Sequence, residues 1–591
     1  MKNWTIIFPV LLFGAAAYSG SYYVAPDGND RGPGSFGEPW RTIGKAAGTL
    51  VAGDTVLIRE GEYNETMHIR NSGSRQNSII FMAYDNETVV IDGKNSSSMI
   101  VYIPESYIEI NNLIFQNMNG WGVLIENGHH VKIQNCEIQN NLKSGIRVIS
   151  AGCIDIINNR FKDNARNEDW GGSIWASAVD SLRVTGNHIV NTIAMSFGML
   201  IDYSVNIIVD NNYTCNTSHS GIFATECHTV EVIDNEIVLA CNGSFGECLS
   251  LQACQDFLIY NNEVHTSGDV TFGGEGIALS KGSENGQMYN NHVHDLEKVA
   301  IYVDDQTRIT HDIGIFDNIV DNCNNGIAVS SEQGVVVENI FIYRNTVTRC
   351  FGIGINVSPW VKDGLRRDIQ IYNNTLYMNG GGILVETSNV ENISVLNNIC
   401  SQNTWLQIFI KEDDAIEDVT VAYNIIDGYQ AQDLSLYSGH NMTDSPGFVD
   451  VSIMDLYLTR CSPAIDAGHP DPRYNDPDGT RNDIGAHYFH QTVPVNRHQT
   501  VHPGSFFLYQ NYPNPFNPRT TIRYQLPENS HVAIGVYNIC GKEITTLSDD
   551  VMPAGRHSVS FDATGLSGGV YFYQLRADGY VIETKKMLLV R

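Results

Sequence analysis

Positive charge is scarce in this chain of 591 residues. It carries 36 Lys and Arg against 66 Asp and Glu, a formal net charge of −30. Such a chain repels polyanions, which disfavours nucleic acid and anionic membrane surfaces as partners. It suits a salty or extracellular milieu and favours Ca²⁺ over anionic ligands. Beyond the N-terminus no apolar run is long enough to span a membrane, so no span is expected in the mature chain. Helical periodicity is confined to one short stretch, "PWRTIGKAAGTL", which places Trp40, Ile43, Ala47 and Leu50 on one face. The Gly-rich "GDVTFGGEGIALS" has neither a following Lys-Ser/Thr nor a helix, so it is no phosphate loop.

Asparagine, by contrast, is present at regular intervals. Apolar runs end in Asn at thirteen places from Asn112 to Asn424, 23 to 29 residues apart, in phrases such as "IIVDNNYT" and "LIYNNEVH". Alternating β-branched residues make strands, and Asn tolerates the left-handed backbone of the turn that ends each one. A second phrase, Gly-Ile-x-Val/Leu, falls between the marks in "SGIRVIS", "EGIALSK" and "FGIGINV". Its second inward apolar position runs through Val148, Ala176, Ile201, Leu251, Leu279, Val303, Val329, Ile355 and Val385. Each period therefore holds at least two short strands and two turns, and such a period means a stacked solenoid. At about 4.8 Å per coil the thirteen marks span roughly 60 Å.

These phrases resemble the right-handed parallel β-helix superfamily, the pectate-lyase-like fold. The expected fold class is all-β: a right-handed parallel β-helix followed by a small immunoglobulin-like β-sandwich. Residues 1–17 read as an export signal, with Lys2, an apolar stretch and Ala15-Ala16-Ala17 as the cleavage site. The β-helix occupies 18–490, including an N-terminal capping block and an Asp-rich closing segment. A polar linker covers 491–503, and the terminal sandwich covers 504–591. That last segment, through "NYPNPFNPRTTI", "GGVYFYQL" and Lys585-Lys586, resembles the sorting domain of type IX secretion cargo. The resemblance implies the type IX machinery as a partner and a secreted or surface-attached protein.

Export leaves twelve cysteines free to oxidise. Cys215 with Cys241, Cys227 with Cys254 and Cys323 with Cys350 each lie one coil apart, as disulfides or as stacked buried thiols. In the closing segment Asp471, Asp476, Asp478 and Asp483 crowd a Pro/Gly loop. They read as Ca²⁺ ligands or as turn residues that seal the last coil, with Ca²⁺ as the one cofactor considered.

Stacking turns sequence period into adjacency. Residues just after the inward pair include Asp202, Thr225, Gln252, Ser280, Asp304, Ser330, Asn356 and Glu386. Asp304, Asp305 and Glu332 come from neighbouring coils, with Lys281 one coil before and Glu226, Arg308 and Trp360 along the same face as substrate-binding candidates. Paired carboxyls fit glycoside hydrolysis, one as nucleophile and one as acid. "IYVDD" and "AVSSE" also resemble the Asp/Glu arrangement of a β-helix β-xylosidase family, which implies Asp304 or Asp305 as nucleophile and Glu332 as acid. A polysaccharide lyase is the second enzyme reading, with Lys281 as base, Asp304 as metal ligand and Ca²⁺ assistance. The dearth of basic residues counts against it. The non-enzyme reading is an adhesin or glycan-binding solenoid using Trp121, Trp170, Trp175, Trp360 and Trp405. His265, His292 and His294 give His-x-His once, a thin metal signal set against ordinary turn histidines.

Overall fold

The computed structural model describes residues 20–94, 99–168, 170–192, 195–243, 246–268, 273–359, 364–411, 418–428, 439–491, 507–508, 511, 516, 518–526, 529–538, 542–553, 555–577 and 580–589. The expected export signal 1–17, Trp360, and the linker beyond residue 491 lie outside them. The chain divides into two compact units, Met1–Phe489 and His490–Arg591.

In the first unit each coil carries three short strands, as in Trp121–Glu126, His129–Gln134 and Glu137–Gln139. They join three sheets, called here sheets 1, 2 and 3 in the order the coil visits them. Among the described residues these sheets hold 14, 16 and 15 strands. Neighbours within each sheet pair in parallel, one coil to the next, as in Val123↔Ile146 and Ile174↔Met199. Side chains alternate across a strand, so every second residue faces inward. Those residues are β-branched and aliphatic: Val123, Ile146, Ile174, Met199, Ile222, Leu249, Ile277 and Ile301 form one fully buried row.

The asparagine marks have a different job from the one read in the sequence. From Asn159 to Asn424 the left-handed corner belongs to the residue before the mark: Asn158, Asn211, Asp234, Asn261, Asn290, Asp317, Arg344 and Tyr423 all have positive φ. The mark itself turns inward and is buried. Asn318 shows the pattern. Its Nδ2 donates to Met288 O and to Asn345 Oδ1, and its Oδ1 accepts from the N–H and Nδ2 of Asn291. The marks thus form a continuous internal ladder that satisfies buried polar groups coil by coil. Only Asn112 and Asn135 are themselves left-handed, with φ of 56° and 54°; the inward place there passes to the apolar Leu113 and Cys136.

One register reading also shifts. Val329 pairs with Val357, not Ile355, because Ile355 sits opposite Ile327. Asn356 therefore belongs to the preceding outward column, and Ser358 stands beside Ser330.

At the N-terminal end the short helix Ile43–Ala47 covers the first coils, capped by Thr42, whose hydroxyl accepts from Lys45 N–H. Trp40, Ile43, Ala47 and Leu50 are buried beneath it. At the other end the closing segment packs Ala464 and Ile484 on Ile399 and Ile425. Cys227, Cys241, Cys254, Cys323 and Cys350 are buried free thiols and Cys215 is a half-buried one, so none of the three suggested pairs is a disulfide here. The Cys227 thiol donates to the carbonyls of Ile201 and Thr225, and the Cys254 thiol to those of Ala224 and Gln252.

The second unit is antiparallel, with a three-stranded and a four-stranded sheet. Its core includes Leu508, Ile522, Tyr524, Val532, Ile534, Tyr573 and Leu575.

Candidate active site

Sheet 1 carries the candidate site on its outward face. Strands Leu249–Gln252, Ile277–Ser280, Val299–Val303 and Asn325–Ser331 lie side by side in register. Their first outward column runs Ser250, Ala278, Tyr302, Ala328. Small side chains at three of these four places make a floor, from which Tyr302 stands up. Two residues further along, Gln252 and Ser280 continue to Asp304 and Ser330. Two residues before the inward row, Glu247 and Glu275 stand on adjacent coils. From Trp175 to Asn356 the outward column crosses eight strands, or roughly 35 Å of sheet face, called here the groove.

Four acidic residues face this groove. Asp304 is 2 % exposed, and its Oδ1 is buried without a hydrogen-bond partner. Burial pushes its carboxyl well above the usual range, and Glu332, Glu247 and Asp305 push it further by like charge. Burial likewise raises Glu275, to about 7, with Glu247 adding to it. Glu247 is raised by burial and drawn back by Ser250 and Lys281. Glu332 accepts from the Tyr302 hydroxyl at 3.2 Å. Tyr302 itself is held firmly protonated, by burial first and then by Asp304 and Glu332.

Asp305 points the other way. Ser331 Oγ and Val335 N–H donate to its Oδ2 at 2.7 Å each, and Glu332 and Gln333 N–H donate to its Oδ1 at 3.0 Å each. Both oxygens hold the loop that carries Glu332. Lys281 occupies a left-handed corner with φ of 57°, in the same turn column as Glu226 and Ala253. Arg308 reaches back across three coils to clamp Glu226, with hydrogen bonds of 3.1 and 2.9 Å. It passes over Gly282, whose φ is +86°; a Cβ there would stand 2.5 Å from Arg308 Cβ. Glu226 and Arg308 thus form the rim of the groove. Further along, the Arg147 guanidinium lies 3.7 Å over the Trp175 ring, and Asp202 Oδ1 and Asn356 Oδ1 are buried without hydrogen-bond partners. Trp121 is half-buried, and Trp170 and Trp405 are exposed.

Glu247, Glu275 and Tyr302 were not singled out from the sequence. The signal was present: "GECLS" and "GEGIALS" put a Gly-Glu pair at the same offset before two successive inward rows.

The Asp-rich loop is tied together by its own hydrogen bonds. Asp476 Oδ2 accepts from Asp483 N–H, and the two oxygens of Asp483 accept from Asp466 and Phe489 N–H. Asp478 accepts from Thr480, and Asp471 from Arg473. Burial raises Asp476 to about 7 and Asp483 to about 6. Among the described residues, neither this loop nor the groove brings three acidic ligand atoms within 4.8 Å of one another; Glu263, His292 and His294 do so with their mixed set.

Fold and groove together define an all-β protein, a three-sheet parallel β-helix joined to a small β domain. The comparisons with known proteins bear this out. Residues 22–173 match the family model described as Pel9A-like, right handed beta helix region. Residues 510–590 match the secretion system C-terminal sorting domain, which marks the protein for secretion or cell-surface attachment. Pectate lyase PEL9 of Emericella nidulans is 27% identical over 181 residues, 28% of this chain and 42% of that protein. The uncharacterized protein YwoF of Bacillus subtilis is 45% identical over 78 residues, 13% of this chain. The chain thus spans 17% and 42% of the length of these two curated relatives. Among solved structures, a GH136 lacto-N-biosidase from Eubacterium ramulus is 14% identical with a TM-score of 0.40, over 59% of this chain and 68% of that one. Pectate lyase Pel9A is 15% identical with a TM-score of 0.27, over 80% and 97%. Among the described residues no helix is long and apolar enough to cross a membrane.

Proposed function

We propose that the protein is a secreted glycoside hydrolase that cleaves an oligo- or polysaccharide of low charge in the sheet 1 groove. One observation carries this reading. Asp304 is a buried acid, its carboxyl pushed well above the usual range by burial and by the charges of Glu332, Glu247 and Asp305, and its Oδ1 has no hydrogen-bond partner. A neutral carboxyl next to a second carboxyl is what general acid catalysis of glycoside cleavage requires. Asp304 donates its proton to the departing glycosidic oxygen. Glu332, oriented by the Tyr302 hydroxyl, acts as nucleophile or as base toward water. This reverses the roles that the β-xylosidase resemblance implied. Asp305 is a positioning residue, because it acts only through the Glu332 loop.

Buried oxygens without partners are rare in folded proteins, and strain, a catalytic role, a water or a ligand accounts for them. Asp202 Oδ1, Asp304 Oδ1 and Asn356 Oδ1 are three of them along one groove. The carboxyl excess on this face disfavours uronate polymers. A lyase remains the second reading, favoured by the PEL9 likeness and by Lys281, whose charge reaches Glu247.

The test is product analysis on a glycan panel. Hydrolysis gives new reducing ends and no unsaturated sugar absorbing in the near ultraviolet. Asp304→Asn and Glu332→Gln should each lower kcat at least 100-fold, the low end of general acid–base contributions. Unsaturated products, or full activity in both variants, would reject the hydrolase assignment.

A further inference from the structure

We propose that Glu263, His292 and His294 form a binding site for a borderline divalent cation of the Zn²⁺ class on sheet 3, a different face of the solenoid from the groove. Strand His292–His294 turns Val293 into the core, so both imidazoles point outward on one face. The preceding coil offers strand Glu263–His265, with Glu263 opposite His292 and His265 opposite His294. Two residues per strand on two adjacent strands put four donors at the corners of a patch about 5 Å by 7 Å.

The donor atoms already converge. One ligand atom each from Glu263, His292 and His294 lies within 4.8 Å of the others. His294 Nε2 is 3.3 Å from Glu263 Oε1. Tetrahedral Zn²⁺, with bonds of about 2.0–2.2 Å, sets its ligands at about that edge length. His294 Nδ1 faces Asp295 Oδ2 at 2.8 Å. A carboxylate behind a ligating histidine fixes the ring and leaves the other nitrogen for the metal. His265 lies flat against His294, ring centroids 4.7 Å apart, and its Nε2 is 3.9 Å from Glu236. It is the natural candidate for a fourth ligand, with water as the other occupant.

Two imidazoles and one carboxylate select the class of ion. That donor set suits Zn²⁺, Cu²⁺ or Ni²⁺, whereas Ca²⁺ and Mg²⁺ want mostly oxygen. The surroundings are acidic, with Glu236, Asp295 and Asp321 nearby, and Asp321 is taken up by Arg349 and Thr348. Because the ligands come from two coils, a bound ion would pin neighbouring strands together.

The probe is Zn²⁺ itself, added to the full chain freed of any histidine tag. Calorimetric titration at pH 7.5 should give one Zn²⁺ per chain, confirmed by elemental analysis after gel filtration, and unaffected by excess Ca²⁺. The unfolding midpoint should rise with Zn²⁺, since a ligand bound only by the folded state stabilises it. His292→Asn with His294→Asn should abolish the site. Glu263→Gln, a same-shaped change at a solvent-facing position, should weaken binding at least tenfold. No binding by the wild type, or equal binding by wild type and Glu263→Gln, overturns the proposal.

Discussion

Asp304 and Asp305 are neighbours of one chemical type with opposite fates. The strand's period of two sends one side chain to the groove and the next to the Glu332 loop. Sequence alone treats them as interchangeable. Geometry separates them, because four donors saturate Asp305 while Asp304 keeps an unpartnered oxygen. Asp305→Asn should therefore lower stability, by about 1–3 kcal/mol for disrupting a buried charged acceptor. Asp304→Asn should leave stability equal or higher while removing turnover. Denaturant titration of the two variants beside their kcat values checks the contrast, and a large stability loss in Asp304→Asn would contradict it. The asparagines teach the same lesson. Their spacing revealed the coil, but their role was misread, since a corner residue and an inward ladder residue sit side by side in "DNN" and "YNN". Asn318→Ala removes hydrogen bonds on both sides of its rung and should cost about 2–4 kcal/mol in denaturant unfolding. A cost near zero would mean that the ladder is not holding the coils.

At the scale of the strand and the sheet, most of the architecture was legible. Alternation of β-branched residues fixed which side chains face inward, and the Asn phrase fixed where strands end. Two things escaped. The slip at Ile355 arose because "GIGINV" offers two apolar residues at the same spacing, and only pairing with the neighbouring strand decides between them. Glu247 and Glu275 were missed because they precede their strands, where the chain enters from loops of irregular length. Two parts of the β-helix unit carry raised acids: Glu275 on sheet 1 at about 7, and in the closing segment Asp476 at about 7 and Asp483 at about 6. Each binds its proton more tightly folded than unfolded. Their contribution to stability is complete below the ordinary carboxylate range and is lost as pH rises through 6 to 7. The midpoint of unfolding of the β-helix unit should thus fall between pH 5 and pH 8, and Asp476→Asn should flatten the fall. A midpoint that climbs over that interval would contradict the assignment of these groups as raised.

For the whole molecule, a repeat that stacks each coil on the last makes distance in sequence a measure of height along the rod. That is why the fold could be read from spacing, and why the sorting domain could be read from its terminal phrases. The chemistry was harder to read because the groove is assembled across coils. Its floor, rim and acids come from different coils, 82 positions apart for the Glu226–Arg308 clamp, and no local motif encodes their meeting. Which sugar fits depends on the shape of that composite surface. The central claim is narrower: burial and acidic neighbours push the Asp304 carboxyl well above the usual range, which predicts a neutral acid at pH 7. Infrared difference spectroscopy between the wild type and Asp304→Asn at pH 7 tests it directly. The carbonyl stretch of a protonated carboxylic acid should be present in the wild type and gone in the variant. A difference spectrum showing instead the paired bands of an ionised carboxylate would contradict the account.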